Sequence, residues 1–193
     1  PNYQILHVIA RTFMVDNQAG IKDPIGMTGV RLEVEAQIIQ GLSAQIRNLE
    51  KAIYRTGVDI DELVLSSMAA AESVLTKRQK DLGVALLNIG GTTTTMVVFE
   101  EGDVLHTFVI PLGSSHITAD IAIGLRTSID TAEKLKLEYG SALPDGIGKK
   151  EMIDLTRLGE AEGQVARLPV AEIIEARASE ILDLVNKELK KID

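Results

Sequence analysis

Val84-Ala85-Leu86-Leu87-Asn88-Ile89-Gly90-Gly91-Thr92-Thr93-Thr94-Thr95 is the stretch on which the reading of this chain turns. Its first four residues form a continuous apolar run, the pattern of a central strand covered on both faces. The run ends in two glycines, where backbone without side chains lets a ligand come close. Successive N–H groups in such a turn make an anion-binding nest, and the threonine hydroxyls add donors. The stretch therefore reads as a strand closing on a phosphate cradle. It also reads as a glycine turn entering a Thr-rich strand, because threonine favours strands. The residues by themselves leave both readings open.

Downstream, Met96–Phe99 and Val104–Ile110 read as two strands, with Glu101-Gly102-Asp103 as the hairpin turn between them. Gly113-Ser114-Ser115 opens a helix that runs to Leu125, and a second helix spans Thr131 to Tyr139, with Asp130 as its N-cap and Gly140 as its stop. Residues 140–169 carry few signals beyond turns near Pro144-Asp145-Gly146 and Gly159–Gly163. From Val170 a long helix follows, with Ile174, Ala178, Ile181, Val185 and Ile192 at helical spacing.

Upstream, YQILHVIARTFMV (Tyr3–Val15) reads as a strand buried on both faces with a break near Arg11. Asp16–Gly29 is rich in glycine and reads as loop. Arg31–Ile39 alternates, which predicts a half-buried strand with Leu32, Val34, Ala36 and Ile38 on the covered face. Residues 43–56 are an amphipathic helix with Ser43 as N-cap and Gly57 at the C-terminal stop. Leu63–Leu65 suits a short strand, and the Ala-rich Ala69–Gln79 a helix.

Composition narrows the function. The chain has 193 residues, 20 Lys+Arg against 28 Asp+Glu and a net charge of −8, which argues against a nucleic-acid partner. There are no cysteines, so thiol chemistry and Cys-ligated metals are excluded. No run of about 18 apolar residues spans a membrane. The start, Pro1-Asn2-Tyr3, lacks an initiator Met and the features of a signal peptide, and reads as an excerpt or a processed chain. His7, His106 and His116 are scattered, and no metal set completes around them.

Four blocks carry a resemblance: His7–Ile39, Ser66–Thr95, His106–Gly140 and Pro169–Leu189. Together they resemble the FtsA family of bacterial actin-like cell-division proteins along nearly the whole chain. The resemblance implies an α/β fold, an actin-like (ribonuclease H-like) fragment with an inserted small α+β subdomain of the SHS2 type. It implies three parts: 1–67 as a subdomain 1C-like SHS2 unit, 68–126 as a helix of 1A and the start of 2A with the phosphate loop, and 127–193 as a 2B-like part. On this reading the chain is a middle slice. The first phosphate loop would precede residue 1, the adenosine motif would follow residue 193, and a membrane-binding helix would lie further on.

Site roles follow from the same resemblance. Asn88, Gly90, Gly91, Thr92 and Thr93 fall on the second phosphate loop, and Gly113 on a backbone turn near the phosphates. Glu133 and Lys136 fall on groups that reach the ribose and base; as neighbours on one helix face they also read as an i,i+3 ion pair. Glu72 falls on a helix that can place a group near the attacking water, or is an exposed helix glutamate. Arg177 falls where the acidic tail of FtsZ is held, or is a surface arginine paired with Glu180. Implied partners are FtsZ and further copies of the chain in a head-to-tail filament, at the inner face of the cell membrane at the division site. Membrane contact would come only from a segment outside this chain.

The departures bear on the cofactor, ATP with Mg²⁺. The family loop typically reads Asp-Ile-Gly-Gly-Gly-Thr-Thr-Asp. Here both aspartates are replaced, by Asn88 and Thr95, and Thr92 stands for the third glycine. Asn88 offers a hard cation one neutral oxygen in place of a carboxylate. Thr92 puts a Cβ where the backbone is expected to need a positive φ. The expectation is weakened ATP binding and at most a weak ATPase. Two alternatives are a catalytic ATPase or phosphotransferase of the actin and sugar-kinase superfamily, and a pilus-assembly actin-like protein.

Overall fold

The computed structural model describes residues 2–160 and 162–192. The chain divides into two compact units, Pro1–Leu86 with Val97–Thr107, and Leu87–Met96 with Phe108–Asp193.

The first unit begins with β1 (Tyr3–Val15), β2 (Gln18–Ile21) and β3 (Leu32–Leu42), arranged β2-β1-β3 with both pairings antiparallel. The register of β1 on β3 shifts between Ala10 and Thr12, so the break expected near Arg11 is a bulge. Two strand readings change. β1 is not buried on both faces, since exposed residues recur along it. On β3 the apolar residues Leu32, Val34 and Ile38 are exposed, while Gln37 is half-buried and donates to Thr107 Oγ1 at 3.0 Å. The alternation is real, but nothing among the described residues covers that face. The expected loop after Val15 contains β2, because Asp16 takes a positive φ of 45° and turns the chain back on itself.

Helix α1 (Ser43–Tyr54) follows, with Leu42 rather than Ser43 in the N-cap position. Leu63–Leu65 forms no strand; the Leu65 N–H donates to His7 Nε2 at 3.0 Å. The single Ala-rich helix is two helices, α2 (Ser66–Val74) and α3 (Lys77–Leu82). Thr76 breaks it. Its hydroxyl accepts the Gln79 N–H and its own N–H donates to Gln79 Oε1, a reciprocal capping box that starts a new helix. Ala71, Val97, Phe99 and Val104 form the core of this unit, with Ile9, Met68 and Leu86 against them.

β4 (Val84–Ile89), β5 (Thr94–Glu100) and β6 (Asp103–Ile110) form a sheet in the order β4-β5-β6. Despite its apolar run, β4 is an edge strand of that sheet rather than a central one. The turn between β5 and β6 is the expected one, with Glu101 and Gly102 at φ 51° and 90°, the signature of a type I′ turn.

The second unit is built on α4 (Ser114–Leu125), α5 (Ile129–Tyr139) and α6 (Arg167–Leu189). The α5 cap is Ser128, whose hydroxyl accepts the Thr131 N–H at 3.1 Å, and not Asp130, which lies inside the first turn. Between α5 and α6 the chain forms β7 (Met152–Asp154) paired antiparallel with β8 (Gln164–Ala166), a hairpin the sequence did not announce. The core joins Ile121, Leu135, Ile153, Val170 and Ile174, so the apolar stripes of the three helices meet as their spacing requires.

Candidate functional site

The turn after β4 is short and tightly made. The Gly90 N–H donates to the Thr93 carbonyl at 2.9 Å, and the Thr94 hydroxyl, fully buried, donates to the Leu112 carbonyl at 2.8 Å. Two rungs then fasten the turn to the start of α4. Ser114 N–H donates to the Gly90 carbonyl at 2.9 Å and Ser115 N–H to the Gly91 carbonyl at 2.8 Å.

These rungs fix where the loop's own donors point. In a trans peptide the C=O and N–H are opposed, and the chain has no cis peptide among the described residues. With the Gly90 and Gly91 carbonyls turned to α4, the N–H groups of Gly91 and Thr92 point away from it. No backbone acceptor takes either one among the described residues, and both residues are exposed. The result is a pair of consecutive outward donors, the element of an anion nest. The first-turn N–H groups of α4 are engaged in holding the loop.

One expectation about the loop changes. Thr92 does not occupy a positive-φ position; among the described residues the non-glycine positive-φ sites are Asp16, Glu101 and Arg126. Space, and not φ, is what favours glycine at Gly90 and Gly113, while a Cβ on Gly91 would meet Ser115 Oγ at an ordinary 3.4 Å. A Cβ on Gly90 would lie 3.0 Å from the Thr93 carbonyl oxygen. Gly113 is still tighter: its Cβ would lie 2.5 Å from the Gly90 oxygen and 2.6 Å from the Gly91 oxygen. The Gly113 N–H donates to His116 Nδ1 at 3.1 Å, so this residue contributes closeness, not a donor.

Glu133 and Lys136 come together beside the same helix start. Lys136 Nζ bonds Glu133 Oε2 at 2.6 Å, Thr118 Oγ1 at 2.8 Å and the Ser114 carbonyl at 3.3 Å, and its side chain is 13% exposed. The Thr118 hydroxyl also donates to Glu133. The Lys136 ammonium and then the Thr118 hydroxyl hold the Glu133 carboxyl below its ordinary range. Ser114 thus links the two clusters, its N–H on the loop and its carbonyl on Lys136.

Arg177 is bonded on two sides. Its Nε and Nη2 meet both oxygens of Asp120 on α4, at 2.7 and 3.0 Å, and its Nη1 meets Glu180. Asp120, followed by Glu180, raises the Arg177 pKa further. The Glu180 pair is the one helical spacing announces; Asp120 lies 57 positions away and gives no local signal. Beside this clamp a cleft of about 350 Å³ is lined by Ile123, Gly124, Ile173 and Ala176 as well. Glu72 lies on α2 in the first unit, where Lys80 Nζ bonds it at 2.6 Å and its side chain is largely exposed.

Sequence reasoning missed His116, Thr118 and Asp120. A T-x-x-Q or S-x-x-E pattern flags a capping box; Gly113-Ser114-Ser115-His116 carries only its return arm, from an imidazole, and so shows no such pattern.

The family model for the cell division protein FtsA matches residues 85–191, and the model for the SHS2 domain inserted in FtsA matches residues 1–40. The chain is 43% identical to the FtsA of Bacillus subtilis over 189 residues, covering 97% of this chain and 43% of that protein. It is 39% identical to the FtsA of Pseudomonas aeruginosa over 189 residues (97% and 45%), and 36% identical to that of Escherichia coli K12 over 191 residues (98% and 46%). The chain thus spans a little under half the length of these curated relatives. Among solved structures, Spiroplasma citri MreB 5 bound to AMPPNP superposes with a TM-score of 0.62 at 19% identity, covering 78% of this chain and 48% of that one. The PilM-PilN type IV pilus biogenesis complex gives 0.64 at 14% identity, covering 95% and 45%. The family models tile both ends of the sequence and the structural neighbours share its actin-like architecture, so the chain belongs to the FtsA family of cell division proteins.

Proposed function

We propose that this chain is part of an actin-like cell-division scaffold whose Gly90–Thr93 turn receives the phosphates of ATP, with weakened affinity and at most weak hydrolysis. The observation that carries this reading is the pair of rungs from Ser114 and Ser115, which turns the Gly91 and Thr92 N–H groups outward. A phosphate oxygen is a natural acceptor for two such donors. A structural neighbour solved with AMPPNP supports the ligand class.

Asn88 supports the weakness. Mg²⁺ is a hard cation held through carboxylates and phosphate oxygens, and phosphoryl transfer rests on electrostatic positioning. A neutral amide at the end of β4 supplies less of both. Glu133 and Lys136 serve the ribose side, Glu133 offering its exposed carboxylate edge to hydroxyls while Lys136 anchors it. Glu72, held by Lys80, is given no step.

In the same reading residues 1–67 form the 1C-like part, 68–126 the segment carrying the phosphate turn, and 127–193 the 2B-like part. The chain stacks head to tail with further copies and holds the acidic tail of FtsZ beside Arg177, in the α4–α6 cleft. There the more exposed Glu180 arm of Arg177 gives way to the peptide, and the Asp120 arm remains. The scaffold works at the inner membrane face of the division site. No helix among the described residues is long and apolar enough to cross a membrane, and attachment comes from a segment beyond this chain.

The test is isothermal titration of the intact protein with Mg·ATP. Weak binding with little turnover is expected. Tight binding with clear turnover overturns the weakness, and no binding at all overturns the phosphate cradle.

A further inference from the structure

We infer that His116 is the positioning residue of the phosphate turn: its Nδ1 holds the Gly113 peptide in the place from which α4 grips the loop. This inference rests on the nucleotide reading for its consequence, though not for its geometry.

His116 is the third residue of α4. Its ring accepts the Gly113 N–H at 3.1 Å, and its own N–H donates back to the Gly113 carbonyl at 3.0 Å. The ring thus makes one arm of a capping box, with imidazole where a glutamate or glutamine side chain usually stands; Gly113 has no side chain, so the return bond is a backbone turn bond. Gly113 is thereby held fully extended, at φ −161° and ψ −168°. From that peptide the next two N–H groups, of Ser114 and Ser115, reach the Gly90 and Gly91 carbonyls. The chain of dependence therefore runs from the ring to Gly113, from Gly113 to the rungs, and from the rungs to the outward donors of Gly91 and Thr92.

The choice of imidazole has a chemical reason. A glutamate there would accept the same N–H but would set a full negative charge beside a turn that receives phosphate. An imidazole in its Nε2–H tautomer accepts through Nδ1 and adds no charge. The same chain shows that a neutral amide also accepts an N-cap N–H from the third helical position, since Gln79 Oε1 does so for Thr76 in α3.

That gives the experiment its variants. In the intact protein, His116→Gln keeps an acceptor, His116→Phe keeps a ring without one, and His116→Ala removes both. Amide hydrogen exchange at Ser114 and Ser115 reads the rungs, and titration with Mg·ATP reads the consequence. Expected are exchange and affinity within about twofold of the parent for His116→Gln. For His116→Phe and His116→Ala, exchange at those two amides should be at least tenfold faster and affinity about tenfold weaker, a loss of ~1.4 kcal/mol. Parent-like exchange in His116→Phe overturns the inference. So does a His116→Gln protein as impaired as His116→Ala, which would mean that the ring acts by packing. Should Phe and Ala fail to fold, the Gln variant decides alone by the same limits. A parent that binds no Mg·ATP ends the nucleotide reading, while the exchange measurements still decide the role of His116.

Discussion

Arg177 holds both carboxylate oxygens of Asp120, Nε on Oδ2 at 2.7 Å and Nη2 on Oδ1 at 3.0 Å, and so ties α6 to α4. A planar guanidinium matches a carboxylate in this fork and fixes the crossing of the two helices as well as their distance. Both side chains are less than one-third exposed, so solvent screens the pair only in part. Asp120→Ala should destabilise the protein by about 1–2 kcal/mol, the range for charged hydrogen bonds lowered for partial exposure. A double-mutant cycle with Arg177→Ala, read by urea denaturation, should give a coupling of roughly 1 kcal/mol. Additive single mutants would mean that the fork does not hold the helices.

The same clamp decides how an acidic peptide is to be tested at this cleft. Arg177→Glu would face Asp120 with a like charge, so lost peptide binding would not distinguish contact from misfolding. Glu180→Gln is the cleaner variant. It removes the competing carboxylate from Nη1 and leaves the Asp120 fork intact. Binding of an FtsZ tail peptide, followed by fluorescence anisotropy, should tighten about threefold or more, ~0.7 kcal/mol. Unchanged affinity would take Arg177 out of the peptide contact.

Gly113 faces two carbonyl oxygens at distances no Cβ can accept. Its backbone is extended, which any residue can adopt, so the penalty of substitution is steric and not conformational. Gly113→Ala should cost about 1–3 kcal/mol, the range for forced overpacking. Its signature should be local: faster amide exchange at Ser114 and Ser115, with the exchange of β1–β3 amides unchanged. A variant as stable as the parent would show that the turn can move aside at no cost.

How far could these features be read from the residues? Local chemistry was legible where one signal dominated. The hairpin turn follows from Glu101-Gly102-Asp103, and the buried stripe of α6 from the spacing of Ile174, Ile181 and Val185. The Ala-rich stretch misled because propensity was summed across Thr76, although Thr76-x-x-Gln79 carries the capping signature that restarts the helix. On β3 the period was right and the burial was not, since alternation says which residues share a face and nothing about what covers it. The turn after β4 was visible as Gly90-Gly91. Its latch was not, because Ser114 and Ser115 act through backbone N–H groups across 24 residues, and His116 through a ring nitrogen on a glycine that carries no capping side chain.

Glu133 carries a pH dependence whose sign is fixed by its partners. Lys136 and Thr118 favour the carboxylate, so its folded pKa lies below the ordinary 4.5. A group depressed in this way stabilises the fold above its unfolded pKa, and the contribution fades as pH falls through the folded value. Glu133→Gln should therefore be less stable than the parent at pH 7, with the gap closing below about pH 4.3, the unfolded glutamate value. Urea midpoints of both proteins between pH 7 and 3 test this. A gap independent of pH would mean that packing, not charge, accounts for the difference.

Asn88 is the residue where the nucleotide reading is most easily pushed. It sits near the end of β4, two residues before Gly90, and is exposed, so a carboxylate there needs no repacking. Asn88→Asp replaces one neutral amide oxygen with a carboxylate, whose two oxygens share a negative charge, for a hydrated Mg²⁺ at almost unchanged volume. In the intact protein its affinity for ATP should rise on the order of tenfold with Mg²⁺ present, ~1.4 kcal/mol. With EDTA present it should fall below the parent's, because the new carboxylate then repels phosphate. The crossing of the two affinities is the informative result, since a general change in stability would move both in one direction. If Mg²⁺ makes no difference between Asn88→Asp and the parent, the cation does not reach the end of β4, and Asn88 has no part in the affinity for nucleotide.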